Sequence, residues 1–530
     1  MKKTIILFIC SVFAIGGWAQ EDHNFKVAKN LDVFNAIYKN LDLMYVDTLN
    51  ADEVVGNGIS AMLRSLDPYT EYYPENKDQE VRMMLQGKYA GIGSLIRYNF
   101  KRGRVCIDEP YEGMPAAEAG LKKGDVILSI DGEDMTKKDN NYVSEHLRGE
   151  ANTFELKILR PTTGKEMKMK ITRRSIQMPA VPYYGLQPNG IGYLNLNQFT
   201  EGCSKQVRNA VIDMKKQGMK AFVLDLRNNG GGSEMEAVNI VNCFIPKGKL
   251  VVSNRGKLKQ ANRDYKTSEI TAGALQDFDR AVIVGSKTYG KGLVQTIVDL
   301  PYNGQMKLTT NKYYIPSGRC IQKINYKHAN GGSTEVQADS LAKTFYTAAG
   351  RPVKDAGGIM PDMVVEADSL PNIAYYLVGL RDSSEVLSTY EVDYISKHPT
   401  IASPSEFTIS DADYEAFKQH VLKSSFKYDA ISEKQLEALE KVAKFEGYYD
   451  GASPEFEALK KKLTHDLAKD LDYNKASIRQ LINSDIVTAY YYQRGAIENS
   501  LRTDKQVKEA FQLLQNDEKY KGLLTVSEQK

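Results

Sequence analysis

The stretch AFVLDLRNNGGGSEMEAVNIV, Ala221 to Val241, joins a continuous apolar run to a helical segment through three consecutive glycines. The run AFVLDL predicts a strand that is buried on both faces, as in a parallel sheet. The segment SEMEAVNIVNCFI, which follows the glycines, predicts a helix. Because strands that alternate with helices are typical of an α/β layer, this stretch decides the fold class of its domain.

The flanking sequence continues the same alternation. Ile191 to Leu196 predicts a second buried strand, and EGCSKQVRNAVIDMKKQG between the two strands predicts a helix. Further along, KLVVSN, AVIVG (Ala281 to Gly285) and LVQTIVDL predict additional strands. We therefore predict an α/β domain over residues 176–370.

Composition bounds the organisation of the chain. Its 530 residues, 42% of them hydrophobic, suffice for about three or four domains. The net charge of +3, from 70 basic and 67 acidic residues, gives no field that would attract nucleic acid or an anionic membrane. Residues 1–20 have Lys2 and Lys3 ahead of an apolar run and end in a small-x-small pattern, which predicts a cleaved signal peptide, no stable membrane span and an exported, periplasmic protein.

The cysteines give no metal site. Four remain after cleavage, and they follow no zinc-binding spacing. They are Cys106, Cys203, Cys243 and Cys320. Isolated thiols are the favoured interpretation, although an exported protein allows disulfides, and no cofactor or metal is predicted.

The remaining segments differ in character. Residues 21–86 show apolar residues at helical spacing and predict a helical N-terminal region. Residues 87–175, the PDZ-like segment below, predict short strands with one short helix at Pro115 to Ala119. Residues 371–530, the C-terminal helical segment below, contain few glycines and predict a helical packing domain.

The PDZ-like segment contains the loop Gly91-Ile92-Gly93 and the run AAEAGLKKGDVILSIDG, and together these resemble a PDZ domain. In that family the N–H groups of the loop hold the terminal carboxylate of a peptide, which adds a strand to the edge of the sheet. The resemblance implies that protein or peptide C-termini are the ligands.

Several ordered motifs extend the resemblance to most of the chain. SLDPYTEYYP, DLRNNGGG, TYGKGLVQ, YYIPSGRCIQ and GGIMPD resemble the C-terminal processing peptidases, or tail-specific proteases. The likeness runs from the end of the signal segment to Glu366. It implies that residues 176–370, called the peptidase-like segment below, form a crotonase-like α/β peptidase domain. It also implies a Ser–Lys dyad with a supporting Gln, and hydrolysis of proteins recognised by their C-termini.

The resemblance makes Lys291 the general base and Gln295 the orienting residue. A lysine acts as a base only if burial lowers its pKa, and the glycines flanking Lys291 let the backbone close around it. A solvated surface lysine is the alternative. The pattern G-x-x-x-x-G-K also fits the start of a phosphate-binding loop, but Gly292 stands where that loop needs Ser or Thr.

The glycine loop predicts an anion-binding site. Glycines between a buried strand and a helix leave N–H groups free to face a developing oxyanion. The resemblance places the oxyanion hole at Gly231 or Gly232, whereas an ordinary connecting loop is the alternative.

The nucleophile is not where the resemblance requires it. The family motif S-A-S-A-S-E-I has its nucleophile two positions before the Ser of S-E-I, and here that position is Lys266. The apolar strand that precedes the motif in the family is also missing, so a strand and the nucleophile turn read as deleted. Thr267 and Ser268 are the nearest hydroxyls, and Ser268 is a weak surrogate nucleophile because it is suited to be a helix N-cap.

Three hypotheses follow. The chain is an exported Ser–Lys peptidase by descent whose competence is lost or reduced. Alternatively, it is a non-catalytic PDZ-type binding or scaffold protein of the envelope, with oligomers allowed. In the third hypothesis the deletion is an error in the gene sequence, and the true protein is an active peptidase.

Overall fold

The computed structural model of the protein describes residues 2–77, 81, 83, 87–149, 151–246, 248–265, 270–326, 334–336, 342–355, 357–379 and 385–526. The contacts within the chain separate it into two compact units. The first unit comprises residues 1–75, 295–309 and 326–335, and the second comprises residues 76–294, 310–325 and 336–530. The second unit thus holds the PDZ-like segment, the C-terminal helical segment and most of the peptidase-like segment.

The first unit begins with two helices and a short strand: α1 (Lys2–Met44), α2 (Ala51–Arg64) and β1 (Glu71–Tyr73). Helix α2 starts after Asn50, whose side chain accepts hydrogen bonds from the N–H groups of Asp52 and Glu53. This cap satisfies donors that the first turn of a helix leaves unpaired. Among the described residues, no helix combines the length and the apolar content that crossing a membrane requires.

The PDZ-like segment is built on one antiparallel sheet. Its elements are β2 (Lys88–Gly91), β3 (Ser94–Asn99), β4 (Arg104–Pro110), α3 (Pro115–Glu118), β5 (Val126–Ile130), β6 (Glu133–Asp134), α4 (Asn140–Leu147), β7 (Thr153–Arg160), β8 (Lys165–Thr172) and β9 (Arg174–Gln177). The sheet has the order β3-β4-β5-β7-β8, with β6 on β5, and β2 pairs separately with β9. In β7 the alternate residues Phe154, Leu156 and Ile158 are buried, because successive strand residues point to opposite faces.

The peptidase-like segment mixes helices and short strands. Its elements are β10 (Tyr183–Leu186), β11 (Ile191–Asn195), α5 (Cys203–Lys216), β12 (Ala221–Asp225), α6 (Glu234–Val241), β13 (Val252–Gly256), β14 (Arg263–Tyr265), α7 (Ile270–Asp277), β15 (Val284–Gly285), β16 (Leu293–Asp299), β17 (Gln305–Tyr314), β18 (Ile324–Tyr326), β19 (Thr334–Val336), β20 (Thr344–Tyr346), β21 (Pro352–Lys354) and β22 (Met363–Val364). The predicted strand, helix and strand around the glycine loop are therefore β11, α5 and β12.

Strand β12 corrects one prediction about burial. It is the outer strand of a sheet with the order β10-β11-β12, parallel to β11. All five residues of β11 are buried, whereas only the last residue of β12 is. An apolar run predicts burial on both faces only if strands flank it on both sides, and β12 has one strand neighbour among the described residues.

A second correction concerns AVIVG, which forms a strand only over Val284–Gly285. This strand, β15, pairs in parallel with β22 in a separate two-stranded sheet. Between β12 and β15 the chain forms the antiparallel hairpin β13–β14, with Val252 opposite Tyr265. The polar run before α7 therefore holds a short hairpin strand, and no described strand links β12 to β15.

The C-terminal helical segment consists of helices in its described part. They are α8 (Asn372–Leu377), α9 (Val386–Lys397), α10 (Asp411–Leu422), α11 (Ile431–Glu446), α12 (Tyr449–Leu463), α13 (Leu467–Tyr473), α14 (Lys475–Ser500), α15 (Lys505–Leu514) and α16 (Asp517–Leu523). Fully buried side chains such as Phe417, Val421 and Ile482 form its core. Helix α14 is kinked at Tyr492, which has a φ of 58°.

The C-terminal helical segment contacts both other segments of the second unit. The Glu385 carboxylate accepts hydrogen bonds from the side chains of Arg97 and Asn99, at 2.9 Å each. At the kink of α14, the Gln493 N–H donates to the Glu109 carboxylate at 2.8 Å. Helix α15 contacts both β12 and β15. The helical segment therefore packs against the PDZ-like sheet and against the two peptidase-like sheets that contain β12 and β15.

Candidate active site

The glycine loop lies between β12 and α6 and holds a conformation that only glycine adopts readily. Gly231 and Gly232 have φ angles of 96° and 138°. A Cβ added to Gly232 would lie 2.4 Å from the carbonyl oxygen of Phe199. Helix α6 begins at the N-cap Ser233, whose side chain accepts from the N–H of Glu236. The sequence thus places unpaired N–H groups at a strand end and a helix start.

Only one of the two predicted oxyanion donors is available. The Gly231 N–H donates to Asn229 Oδ1 at 2.9 Å, and Asn229 Nδ2 donates to the Leu196 carbonyl at 2.9 Å. This turn commits the Gly231 donor within the loop. The Gly232 N–H makes no hydrogen bond to any described residue. Of the predicted pair, Gly232 is therefore the donor that can face an oxyanion.

A charged network that the sequence did not reveal anchors the start of this loop. Asp225, at the end of β12, accepts from the Tyr193 hydroxyl at 2.6 Å and from Arg227 Nη2 at 2.6 Å. Burial alone would raise the pKa of Asp225, but hydrogen bonds and charge from Arg227 hold the pKa below its ordinary value. Arg227 also donates to Asp504 and to Gln506 at the start of α15. The sequence did not reveal these contacts, because Arg227 lies far from Asp504 and Gln506 along the chain.

The predicted base, Lys291, lies in a tightly held backbone loop. A Cβ added to Gly290 would lie 2.8 Å from the backbone nitrogen of Gly358. A Cβ added to Gly292 would lie 2.8 Å from the backbone nitrogen of Gln322. The buried Tyr313 donates its hydroxyl to the Lys291 carbonyl at 2.7 Å. Lys291 itself is half-buried. The two glycines therefore do permit the close backbone packing expected from the sequence.

Gln295 follows on β16 and belongs to the first compact unit, whereas Lys291 belongs to the second. Gln295 Nε2 donates to Thr309 Oγ1 at 3.2 Å, and the Thr309 N–H donates to Thr70 Oγ1 at 3.2 Å. Thr70 Oγ1 in turn donates to the Asp67 carboxylate at 3.0 Å. The turn in SLDPYTEYYP is thus linked to Gln295, a connection that the sequence did not predict.

The nucleophile region, with Lys266, Thr267 and the weak surrogate Ser268, lies outside the described residues. Tyr265 ends β14 before it, and α7 begins after it at Ile270 and packs against α6. Three buried side-chain oxygens on α6, β13 and α7 have no hydrogen-bond partner among the described residues, namely Glu234 Oε1, Asn254 Oδ1 and Thr271 Oγ1. Native proteins rarely leave buried polar atoms unpaired.

Glu234 and Asn254 form part of this unsatisfied region. Asn254 Nδ2 donates to Glu234 Oε2 at 2.9 Å, and burial raises the pKa of Glu234. Glu234 and Asn254 are therefore only partly hydrogen-bonded among the described residues.

The predicted peptide-binding loop lies between β2 and β3. Ile92 is buried, and the carbonyl oxygens of Ile92 and Gly93 accept from the N–H groups of Ala116 and Tyr111, at 2.8 and 2.9 Å. Gly93 has a φ of 72°, and a Cβ there would lie 2.5 Å from Met114 Cβ. These two hydrogen bonds tie the loop to the segment between β4 and α3.

Metal and thiol chemistry have no site within the described residues. No group of three or more His, Cys, Asp or Glu side chains there is arranged to hold a metal ion. All four cysteines of the described part are free thiols, and Cys106 and Cys203 are buried. Burial raises the pKa of both thiols to about 12, which leaves them in the unreactive protonated form.

Family comparisons match three parts of the chain. Peptidase family S41 matches residues 190–268 and 263–328, in two segments that overlap at residues 263–268. The PDZ domain family matches residues 107–160. A family described as the C-terminal helical domain of a probable PDZ-protease matches residues 373–514.

Similar solved structures include the photosystem II D1 C-terminal processing protease, 25% identical with a TM-score of 0.33, covering 62% of this chain and 85% of that one. A putative S41 protease from Bacteroides fragilis is 18% identical with a TM-score of 0.36, covering 62% and 84% of the two chains.

Two curated proteins are similar over most of their length. A probable CtpA-like serine protease of Staphylococcus aureus is 31% identical over 360 residues, which cover 64% of this chain and 69% of that protein. The carboxy-terminal-processing protease of Bartonella bacilliformis is 33% identical over 356 residues, which cover 61% of this chain and 81% of that protein. With its S41, PDZ and helical-domain matches, the chain belongs to the carboxy-terminal-processing protease family of serine peptidases.

Proposed function

We propose that this family member has lost most or all of its peptidase activity and has kept the recognition of protein C-termini. The observation that carries the proposal is the division of the S41 match into two segments that overlap at residues 263–268, where Lys266 stands at the position of the expected nucleophilic serine. The resemblance implies that, in active family members, the segment between the counterparts of β13 and α7 supplies a strand and the turn that carries the nucleophile.

The surroundings of the break support the same proposal. Strand β12 is half-exposed, β15 is reduced to two residues, and no described strand lies between them. A missing central strand would leave both neighbours without a hydrogen-bond partner on one side.

The remaining chemistry is incomplete without a nucleophile. In the proposed reaction a serine Oγ attacks the peptide carbonyl, and Lys291 accepts the serine proton before passing it to the leaving amine. The Gly232 N–H would donate to the oxyanion, and the family resemblance gives Gln295 the orienting role. Without the serine, none of these groups forms the acyl-enzyme.

Peptide recognition needs none of the missing parts. Gly91, Ile92 and Gly93 form a fixed loop beside β3, an outer strand that pairs with β4 in the PDZ-like sheet. We assign protein or peptide C-termini to this loop as substrates or ligands. The twenty-residue leader supports export to the periplasm, where such a binding protein would act in the envelope.

The proposal is tested by incubating the purified mature chain with an unstructured polypeptide that has an apolar C-terminus. We expect binding without cleavage. Lys291→Ala and Ser268→Ala variants are measured beside the unmodified chain, and circular dichroism confirms that each is folded. Cleavage that disappears in both variants would establish a relocated Ser–Lys dyad and overturn the proposal.

A sequencing error is the remaining alternative, because the overlap at residues 263–268 also fits a lost stretch of coding sequence. Resequencing the gene between the codons of Thr267 and Ser268 decides between a true deletion and an error. Additional in-frame codons that restore a strand and a serine would make the chain an active peptidase.

A further inference from the structure

A serine, a histidine, a tyrosine and an aspartate lie close together in the C-terminal helical segment, outside the peptidase-like segment. Ser432 is the second residue of α11, and Tyr428 shortly precedes that helix. His465 lies in the loop between α12 and α13, and Asp470 lies on α13. The fold therefore brings together polar side chains that are up to forty-two positions apart along the chain.

Both ring nitrogens of His465 have close polar neighbours. The Nε2 atom lies 3.0 Å from Ser432 Oγ. The Nδ1 atom lies 2.6 Å from the Tyr428 hydroxyl oxygen and 3.2 Å from Asp470 Oδ2. The Tyr428 hydroxyl donates to the same Asp470 oxygen at 2.6 Å. A serine on one side of an imidazole and a carboxylate on the other is the arrangement in which histidine activates a serine hydroxyl.

The hydrogen bonds assign the imidazole proton to Nδ1. Because the Tyr428 hydroxyl donates its proton to Asp470, the Tyr428 oxygen is left to accept from His465 Nδ1. Burial and the hydrogen bond to Asp470 raise the pKa of Tyr428, so the phenol keeps its proton at neutral pH. The Nε2 atom is then the unprotonated nitrogen, and it accepts the proton of the Ser432 hydroxyl.

The imidazole is held in place from two sides. The His465 N–H donates to Glu433 Oε1 at 2.6 Å, which ties the loop to the first turn of α11. The Tyr428 ring packs against the buried core of the helical segment. It also lies edge-on to the His465 ring, with 5.5 Å between the ring centres. The histidine is therefore oriented by contacts other than the one to Ser432.

Helix α11 supplies hydrogen-bond donors beside the serine. Its N-cap, Ala430, has no side-chain hydrogen bond to the first turn, and the Lys434 N–H donates to the Ala430 carbonyl. The N–H groups of Ile431, Ser432 and Glu433 have no acceptor within the part of the chain that the structure describes. Such N–H groups, at the positive end of a helix, stabilise negative charge that develops on a substrate oxygen.

We propose that Ser432 is an activated nucleophile and that it hydrolyses esters of small carboxylic acids, with His465 as the base and with Asp470 and Tyr428 as positioning residues. The side chains of His465 and Asp470 are 29% and 23% exposed, so small esters and water reach the cluster from solvent. This activity is separate from the proposed recognition of C-termini and from the lost nucleophile of the peptidase-like segment.

The reaction proceeds through an acyl-serine. Ser432 Oγ forms a bond to the acyl carbon while its proton moves to His465 Nε2, and the alcohol leaves with that proton as the ester C–O bond breaks. Water then attacks the acyl carbon and gives a proton to Nε2. That proton returns to Ser432 Oγ as the acid is released. Asp470 stabilises the imidazolium formed in both halves, directly and through the Tyr428 hydroxyl.

The first test is covalent labelling of the full mature chain with a fluorescent fluorophosphonate, from which an activated serine displaces fluoride. Mass spectrometry of the digested chain identifies the labelled residue. We expect the label on Ser432 and no label in Ser432→Ala. Labelling of His465→Gln, which lacks the base, should be about a hundredfold slower or more. The matched control is Ser396→Ala, at an exposed helical serine that donates to the Asp393 carbonyl, and it should be labelled like the unmodified chain.

Hydrolysis of p-nitrophenyl acetate tests the positioning residues in chains that circular dichroism shows to be folded. Asp470→Asn should lower kcat by about tenfold or more and leave KM unchanged, because the carboxylate stabilises the imidazolium and does not contact the ester. Tyr428→Phe should lower kcat by a smaller factor, because Asp470 Oδ2 remains 3.2 Å from Nδ1. Unchanged kcat in Asp470→Asn would overturn the role given to the carboxylate.

Three labelling results would overturn the inference: a label on a different serine, no label on the folded unmodified chain, or equal labelling of Ser432→Ala and the unmodified chain. Each result is independent of peptide binding by the PDZ-like segment. The position of the label also separates this chemistry from any reaction in the peptidase-like segment.

Discussion

The sheet of the PDZ-like segment and the sheet that carries the glycine loop differ in how completely their strands are flanked. In the former, β5 lies between β4 and β7, and its Ile127 is fully buried. In the latter, β12 is an outer strand whose apolar run Ala221–Leu224 is half-exposed. This difference is the one that the proposed deletion near residues 263–268 would produce, because the deletion removes a strand from the second sheet and none from the first.

The pair of Arg319 and Asp277 gives the largest expected effect, because both charged side chains are buried. Their side chains are 1% and 0% exposed and meet at 2.8 Å. Removing one partner of a buried ion pair costs about 3–5 kcal/mol. Arg319→Leu should therefore lower the free energy of unfolding of the peptidase-like segment, measured in urea, by that amount. Arg255→Leu, at an exposed pair, is the control. Equal, small effects of both would mean that this region is not folded, and that the difference between the sheets is larger than described.

A matched pair of truncations compares the two sheets directly. Leu156→Ala in β7, at a fully buried position, should cost about 2–5 kcal/mol of unfolding free energy. Leu224→Ala in β12 should cost clearly less, because that side chain is only partly buried. Chemical denaturation of both variants checks the ratio. Similar losses would show that β12 is covered in solution, and the comparison would then fail.

A smaller effect is expected at Asp225, where the sheet with the exposed edge is anchored. Replacing it by Asn should cost about 1.5–3 kcal/mol at pH 7, the value of hydrogen bonds to a buried charge. The folded pKa of Asp225 is depressed, so its contribution is present above the unfolded pKa of about 4 and is lost as the pH falls through the folded pKa. Unfolding midpoints of the two chains should therefore converge below pH 4. A constant difference down to pH 2 would contradict this assignment.

The smallest predicted effect is in the intact region, at Glu109. Its carboxylate accepts from the Gln493 N–H at the kink of α14 and so acts as a helix cap supplied by another segment. Glu109→Ala should lower stability by about 1 kcal/mol and speed hydrogen exchange in residues 493–500. Glu118→Ala, at an exposed pair with Arg174, is the control. Unchanged exchange in α14 would show that the cap does not hold the helix.

Sequence patterns located the parts whose structure depends on local geometry. The turn glycines and apolar alternation of the PDZ-like segment predicted its strands, and the glycines beside Lys291 predicted its close backbone packing. The predicted burial of AFVLDL was wrong, because burial depends on a neighbouring strand that is distant in the sequence.

Two features of the candidate site depended on contacts that no local pattern contains. Arg227 meets Asp504 and Gln506 from the C-terminal helical segment, far away along the chain. Asn229 takes up the Gly231 N–H, and only the folded loop shows which of the two glycines keeps a free donor. The role of Lys291 as a base stays a prediction, as does that of Gln295.

The cap that Glu109 provides to α14 has a consequence for how such a chain can be recombined. A PDZ module excised at its sequence boundaries would carry away the acceptor of Gln493, and the severed helical tail would keep a strained Tyr492 with no partner for the next N–H. Gene fusion or domain shuffling that separates the PDZ-like segment from the C-terminal helical segment therefore damages both. We expect the two segments to occur together in related genes.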